Sequence, residues 1–271
     1  MTAVAVLTAA ARTAGSGRAV RGAVGIAGLL GLAELAGRAG LYDSSLIPLP
    51  STVLARAGTL VVNGTFLADL GATLTAWAEA LLISIACAVP VGLARGALPW
   101  MEAAVRPVVE FLRPIPSVAL VPLVLLLTHS DVRMEVAVII YAAIWPVLIN
   151  TLYGVREVDP LAKDTLRSYG FGPLDVLRRV SLPSAAPFIM TGIRLAASTA
   201  LIVAVAVELN GGRTNGIGVF LIQAESGGGD IPVMIAAILW VGVLGLTINA
   251  VLVATERRLF RWHYVLTADA R

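Results

Sequence analysis

Long apolar runs separated by short polar stretches dominate the pattern of this chain. The runs lie near residues 20–38, 69–94, 107–128, 134–153, 186–209 and 231–254. A hydrocarbon core of about 30 Å needs roughly 20 apolar residues per helical span, and a helix satisfies its own backbone hydrogen bonds in lipid. The pattern therefore predicts an all-α, polytopic membrane protein with about six transmembrane helices. The alternation of a membrane β-barrel is absent, and the runs are too long for its strands.

The composition supports the membrane class. The chain of 271 residues is 58% hydrophobic and 14% charged, with a mean hydropathy of +0.88, whereas an ordinary soluble domain is about 25% charged. The single cysteine, Cys87, lies within a predicted span, so a disulfide within the chain is excluded and no thiol–metal cluster is expected. No metal site is predicted.

The basic residues that flank the spans predict the orientation. Placing both termini and the even-numbered connections on one side assigns fourteen basic residues to that side: Arg12, Arg18, Arg21, Arg95, Arg106, Arg156, Lys163, Arg167, Arg178, Arg179, Arg257, Arg258, Arg261 and Arg271. The other side holds four: Arg38, Arg56, Arg133 and Arg213. Basic residues accumulate in cytoplasmic loops, so both termini and the 154–183 loop are expected in the cytoplasm.

The predicted organisation follows from these spans. Residues 1–18 form a cytoplasmic tail, because the charges follow the apolar stretch 3–11 instead of preceding it as in a signal peptide. Residues 19–262 form the transmembrane domain, and residues 263–271 form a second cytoplasmic tail. The net charge of +3 comes from the loop arginines, and no basic stripe with interleaved aromatic residues indicates nucleic-acid binding.

Two spans depart from a plain lipid-facing helix. The third contains four prolines and Arg113; interior prolines kink a helix, and Arg113 either reaches the cytoplasmic interface or faces a cavity. The fifth ends near Glu208, which either points into the bundle or marks the outer interface. Arg194 and Glu79 pose the same question.

The 154–183 loop has strong local helix signals. Asp159 is a favoured N-cap, Pro160 suits the first helical position, and Gly170 suits a left-handed stop. These signals predict a helix of about ten residues that carries Lys163 and Asp164 together with Arg167 on or near one face. A second short helix is predicted from 172–173, with Arg178 and Arg179 in its last turn. The loop is interpreted either as a plug for a cytoplasmic partner or as a hairpin on lipid headgroups.

The order of motifs along the chain resembles the EAA-loop permeases of bacterial ABC importers, and in particular the nitrate, sulfonate and taurine importer family. The resemblance runs from about residue 46 to residue 262 and rests on Leu46–Ser51, Phe111–Pro116, Leu120–Leu123, Asn150–Pro160 and Arg178–Pro183, with Pro187, Gly192 and Glu208. One departure is that Asp164-Thr165-Leu166 stands where the family has Glu-Ala-Ala. The shape of the loop helix is therefore expected to differ in detail.

The resemblance implies a function and its partners. It implies the permease subunit of an importer in the bacterial inner membrane, paired with a second permease copy, two cytoplasmic ATPases, an extracytoplasmic solute-binding protein and the surrounding lipid. The chain has no Gly-x-x-x-x-Gly-Lys-Ser/Thr loop, so ATP and magnesium are expected on the ATPases, with no cofactor on this chain and no enzyme activity of its own. The ATPase-coupling residues implied are Lys163, Asp164, Arg167, Tyr169, Gly170, Phe171, Arg178 and Arg179.

The transported solute is expected to be small and often anionic, such as nitrate, a sulfonate or taurine. Polarity within the spans makes five residues candidates for the translocation path: Arg113, Trp145, Asn150, Glu208 and Asn210. Two other classes were weighed. An intramembrane enzyme lacks support, because neither His129 nor His263 lies in a metal-ligand motif. An ion-coupled secondary transporter would use Glu79, Arg113 and Glu208.

Overall fold

The computed structural model describes residues 20–22, 24–44, 46–210, 213–227 and 229–260. The predicted tails 1–18 and 263–271, with His263, lie outside the described residues. In chain order the helices are α1 (Val20–Arg38), α2 (Pro50–Leu60), α3 (Gly64–Ala97), α4 (Pro99–Leu112), α5 (Val121–Thr128), α6 (Asp131–Arg156), α7 (Pro160–Ser168), α8 (Pro173–Val176), α9 (Leu182–Leu209), α10 (Ile217–Ser226) and α11 (Ile231–Leu259). The described ranges contain helices and turns but no strand.

The predicted all-α membrane class is confirmed. Within the described ranges, five helices are long and apolar enough to cross a membrane, and the number is six if one bent pair counts as a single span. These spans coincide with the predicted apolar runs and extend beyond them, since α3 has 34 residues and α6 has 26. Two shorter helices, α2 and α10, were not among the predicted elements.

The third predicted span is broken. Helix α4 ends at Leu112, a short 3₁₀ helix covers Ser117–Leu120, and the two segments Pro99–Leu112 and Ser117–Thr128 are bent by 85°. Pro114 and Pro116 lie in the gap and lack the backbone N–H that would continue the helix. The expected proline distortion is therefore confirmed, but the prediction of one continuous helix over 107–128 is wrong.

The chain divides into two compact units. One comprises the residues up to Asn63 together with Ala224–Leu239, and the other comprises Gly64–Gln223 and the residues from Trp240 onward. In the first unit the Glu34 carboxylate accepts hydrogen bonds from both the Ser51 backbone N–H, at 3.0 Å, and the Ser51 hydroxyl, at 2.8 Å. These bonds satisfy a donor in the first turn of α2, which has no side-chain cap of its own.

The second unit is built around α3, α6 and α9, which pack against one another through small residues. Ala80, Ala143 and Ala200 are fully buried there. Small side chains let backbones of membrane helices approach closely. A Cβ built on Gly92 of α3 would lie 2.7 Å from the Thr151 Cβ of α6, so the two helices meet where a glycine is required.

Candidate functional site

The predicted coupling loop begins with the expected cap and turn. Helix α7 starts at Pro160, and the Asp159 carboxylate accepts a hydrogen bond from the Leu161 backbone N–H at 2.9 Å. Gly170 has φ +81°, in the left-handed region that glycine tolerates best. Both local predictions are confirmed, and Val158, only 4% exposed, joins the loop to the buried core.

The second loop helix differs from the prediction. Helix α8 passes through a π-helical segment, Leu177–Ser181, directly into α9, so that Pro173–Leu209 is one helix of 37 residues. Arg178 and Arg179 therefore lie inside a long helix and not in the last turn of a short one. Pro183 has no N–H to offer the carbonyl of Arg179, and a wider turn precedes it instead of a helix end.

The Lys163 side chain is half-buried, unlike those of Asp164 and Arg167. Its Nζ donates to the backbone carbonyl of Val155 at 3.0 Å, across to the last turn of α6. Because the last carbonyls of a helix lack intrahelical partners and attract cationic side chains, Lys163 attaches α7 to α6. Asp164 and Arg167 form an ion pair at 3.0 Å and both remain exposed.

Apolar and aromatic side chains are exposed on this loop beside that ion pair. Leu161 is 71% exposed, Tyr169 79% and Leu174 68%. Phe171 lies under the Arg179 guanidinium, 5.3 Å from its ring centroid, and Arg178 is also exposed. We call Leu161, Asp164, Arg167, Tyr169 and Leu174 the coupling surface. Large exposed apolar side chains within a charged segment are typical of an interaction site.

Glu208 points into the bundle and caps another helix. Its Oε1 accepts from the Thr73 hydroxyl at 2.7 Å and its Oε2 from the Gly218 backbone N–H at 2.8 Å, and the residue is 1% exposed. The Thr73 oxygen in turn accepts from the Ile217 N–H at 2.9 Å. The first N–H groups of α10 are thus bound by side chains from α3 and α9, as the unpaired donors of a helix start require. We call Glu208, Thr73 and the first N–H groups of α10 the Glu208 cluster.

Sequence reasoning missed the residues around the Glu208 cluster. Asp69, one helical turn before Thr73, accepts from the Gly216 N–H at 2.9 Å. Glu135 of α6 forms a buried ion pair with Arg213, whose other Nη donates to Asn215 at 3.0 Å. The only signal in the sequence was the i,i+4 spacing of Asp69 and Thr73, which places both on one helix face.

The structure separates the other translocation-path candidates. Trp145 and Asn150 lie on α6, where the Asn150 amide donates to the Pro146 carbonyl at 2.8 Å and Trp145 stacks edge-on with Tyr141. Asn210 follows α9, is exposed and donates to the Ala206 carbonyl at 2.7 Å. None of these three lies in the Glu208 cluster, and their role in transport stays a prediction.

The remaining charged residues of the spans fall into different surroundings. Arg113 caps the end of α4, is exposed and lines a polar cavity with other arginines. Arg194 pairs with Glu256 of α11 at 3.3 Å. Glu79 is exposed on α3. Glu79, Arg113 and Glu208, the trio required by a secondary transporter, therefore do not form one site.

No group of three metal-ligating side chains occurs among the residues that the structure describes. His129 is the left-handed C-cap of α5, with φ 51°, and Cys87 is an exposed free cysteine on α3.

The described residues thus combine five or six candidate spans, a broken third segment and an exposed helical loop ahead of a long span, which is the architecture of a polytopic membrane protein. The fold is that of type I ABC importer permeases: it matches a chain of the MetNI methionine ABC transporter, solved in inward-facing form, with a TM-score of 0.63 at 17% identity, covering 70% of this chain and 94% of that one.

The chain belongs to the binding-protein-dependent transport system inner membrane component family, whose model matches residues 80–261. It is 30% identical to the taurine transport system permease protein TauC of Escherichia coli K12 over 222 residues, 80% of each chain. It is 31% identical to the nitrate import permease protein NrtB of Leptolyngbya laminosa over 182 residues, 67% of this chain and 64% of that one. The predicted family is thereby confirmed, together with a transport role in the inner membrane.

Proposed function

We propose that this permease forms the translocation path for a small solute carrying an oxyanion group, and that the coupling surface docks in cytoplasmic ATPases. The observation that carries the proposal is the exposed coupling surface itself. It combines large apolar side chains with an ion pair on a helix, α7, that is held at both ends by the Asp159 cap and the Gly170 turn.

Rigid attachment makes this surface suitable for transmitting force. Lys163 links α7 to the end of α6, and α8 continues without interruption into α9. A displacement of the loop by a partner is therefore passed to two spans that form the core of the second unit. For transport, the partner must bind this surface with different free energy in the inward-open and outward-open states.

The proposed assembly contains two permease copies, two ATPases and one extracytoplasmic solute-binding protein. ATP and magnesium are bound by the ATPases, which change the favoured state of the spans through the coupling surface. Both chain termini and the loop lie on the cytoplasmic side, in accordance with the distribution of basic residues.

The proposed solute class rests on the relatives. Proteins similar to this chain are named for taurine, which carries a sulfonate, and for nitrate. Both solutes present oxygen atoms that share negative charge, and arginine recognises such groups with two parallel hydrogen bonds. Arg113 is the translocation-path candidate with the chemistry to bind such a group.

The proposal is tested by uptake into proteoliposomes that contain the permease, its ATPase and its binding protein. We expect uptake of the solute to require both ATP and the binding protein. The radiolabelled solutes to be tried are taurine, another alkanesulfonate and nitrate. The double substitution Tyr169→Ala and Leu174→Ala should reduce uptake at least tenfold, since both side chains belong to the coupling surface. Uptake that runs on an ion gradient without ATP would refute the proposal.

A further inference from the structure

A polar cavity lies at the common end of α3, α4 and α6 in the second unit. Its volume is about 230 Å³, which is below the roughly 300–1,000 Å³ of sites for drug-sized ligands. The charged side chains that line it are Arg95, Arg106, Arg113, Arg156, Glu102 and Glu110. Because four guanidinium groups face two carboxylates, the lining is cationic. The cavity volume suits one small chemical group.

The two glutamates are already engaged by three of the arginines. Glu102 binds Arg95 at 2.8 Å and Arg156 at 3.1 Å, and Glu110 binds Arg106 at 2.7 Å. Arg113 has neither an ion pair nor a hydrogen bond from its side chain within the part of the chain that the structure describes. The lining therefore carries two uncompensated positive charges: one is that of Arg113, and the other is shared by Arg95 and Arg156 around the single carboxylate of Glu102.

Arg95 supplies the second observation. Its side chain is only 4% exposed, and its Nη1 is buried without a hydrogen-bond partner among the described residues. Burying a guanidinium N–H without an acceptor is costly, and a surface arginine that merely extends toward headgroups would not be buried in this way. The cavity is thus lined by the exposed, unpaired cation of Arg113 and by the buried guanidinium of Arg95, which has one donor without a partner.

We propose that this cavity is an oxyanion-binding site in which Arg113 holds a sulfonate, phosphate or similar group, with the buried Arg95 guanidinium adding positive charge beside it. The oxyanion comes either from a free solute or from the phosphate of a lipid headgroup. The idea that the oxyanion is a transported solute rests on the function proposed above. The existence of the binding site does not depend on that function. The Glu102 contacts to Arg95 and Arg156 fix two of the guanidinium groups in advance, which limits the entropy lost on binding.

The test uses the purified full-length permease in nanodiscs, with inorganic sulfate as the free probe. In neutral phosphatidylcholine nanodiscs, equilibrium binding of ³⁵S-sulfate is measured for the native chain, for Arg113→Gln and for Arg133→Gln. Arg133 is an exposed arginine at the other end of α6, so its variant removes the same charge away from the cavity. Native mass spectrometry of the three proteins, purified with phosphatidylglycerol present, measures retained anionic lipid.

We expect saturable sulfate binding that Arg113→Gln weakens at least tenfold and Arg133→Gln leaves unchanged, because a charge-assisted hydrogen-bonded pair is lost. If sulfate does not bind but Arg113→Gln alone loses a retained phosphatidylglycerol, the site is equally established and its occupant is a lipid phosphate. Arg113→Lys should retain part of either binding, since it keeps the charge but not the paired donors.

The proposal is overturned if neither probe binds the native chain, or if both bind equally well to the native chain and to Arg113→Gln. The measurement contains no ATPase and no binding protein. A negative result for sulfate and lipid binding therefore does not count against ATP-dependent uptake. Equally, a negative result for uptake does not count against the binding site.

Discussion

The hydroxyl of Thr73 has two buried roles within the Glu208 cluster. It lies 2.7 Å from the Glu208 carboxylate and accepts from the Ile217 N–H at 2.9 Å. Both Thr73 and Glu208 are out of contact with solvent. A polar group buried in this way is costly to leave unpaired, so one methyl-sized change at Thr73 affects the start of α10 directly.

We therefore expect Thr73→Val to lower the free energy of unfolding by about 1–3 kcal/mol, the penalty for buried polar groups that lose a partner. The measurement is a denaturation series in detergent micelles followed by tryptophan fluorescence. Thr75→Val is the matched control on the same helix: Thr75 is exposed and its hydroxyl bonds only to the Ala72 carbonyl of its own helix, so a change within about 0.5 kcal/mol is expected. Equal effects of the two substitutions would contradict the stabilising role that we assign to the buried Thr73 hydroxyl.

At the scale of helices, α3 and α6 are held together where glycine allows close approach. A Cβ on Gly92 would lie 2.7 Å from the Thr151 Cβ and 3.0 Å from the Leu148 carbonyl oxygen, whereas a Cβ on Gly71 meets nothing within 4 Å. Gly92→Ala should cost about 1–3 kcal/mol through overpacking. Gly71→Ala should be neutral or slightly stabilising, because alanine favours the helix.

The same denaturation series checks this pair of glycines. Because both substitutions replace glycine by alanine on the same helix, the difference between them separates the effect of packing on stability from the effect of helix propensity. If Gly92→Ala is as stable as Gly71→Ala, the α3–α6 approach is looser than described.

The turn between α7 and α8 makes a second prediction at this scale. Gly170 has φ +81° and its N–H donates to the Arg167 carbonyl at 2.9 Å. Proline fixes φ near −65° and has no N–H, so Gly170→Pro should abolish ATP-driven uptake while leaving membrane insertion intact. Gly172 has φ −71°, which proline adopts, and Gly172→Pro should retain most of the uptake.

Uptake in proteoliposomes and the yield of inserted protein are measured together for both variants. Normal uptake by Gly170→Pro would show that the orientation of the coupling surface does not matter, and the coupling assignment would be wrong.

The sequence predicted those features that depend on neighbours along the chain. The Asp159 cap, the Gly170 turn and a proline distortion of the third span, though not the full break after Leu112, all follow from local backbone chemistry. It placed Arg178 and Arg179 wrongly in the last turn of a short helix, because a π-helical segment can carry a helix past a proline and leaves no local signature.

The sequence did not predict the features that depend on packing between distant segments. Thr73 and Glu208 are 135 positions apart in the chain, and no periodicity within either span indicates that they meet. Likewise, Arg113 was identified as either interfacial or cavity-facing, and only the packing of α3, α4 and α6 places it beside the buried guanidinium of Arg95.

At the scale of the whole molecule, charged groups concentrate at the end of the second unit that carries the loop. Arg95, Arg113 and Arg156 line the cavity, and the coupling surface follows directly after α6. Solute release and ATPase coupling, both proposals, would therefore take place near the same end of the spans.

The most direct test of the account is purification of the tagged permease from its native cell, with mass spectrometry of what accompanies it. The native chain should bring down a stoichiometric Walker-A ATPase. A variant in which residues 159–172 are replaced by a Gly-Ser linker of equal length should insert normally and lose the ATPase, because it lacks α7 and the Gly170 turn while α8 and α9 remain whole. Undiminished recovery of the ATPase with that variant would contradict the coupling surface as the docking site.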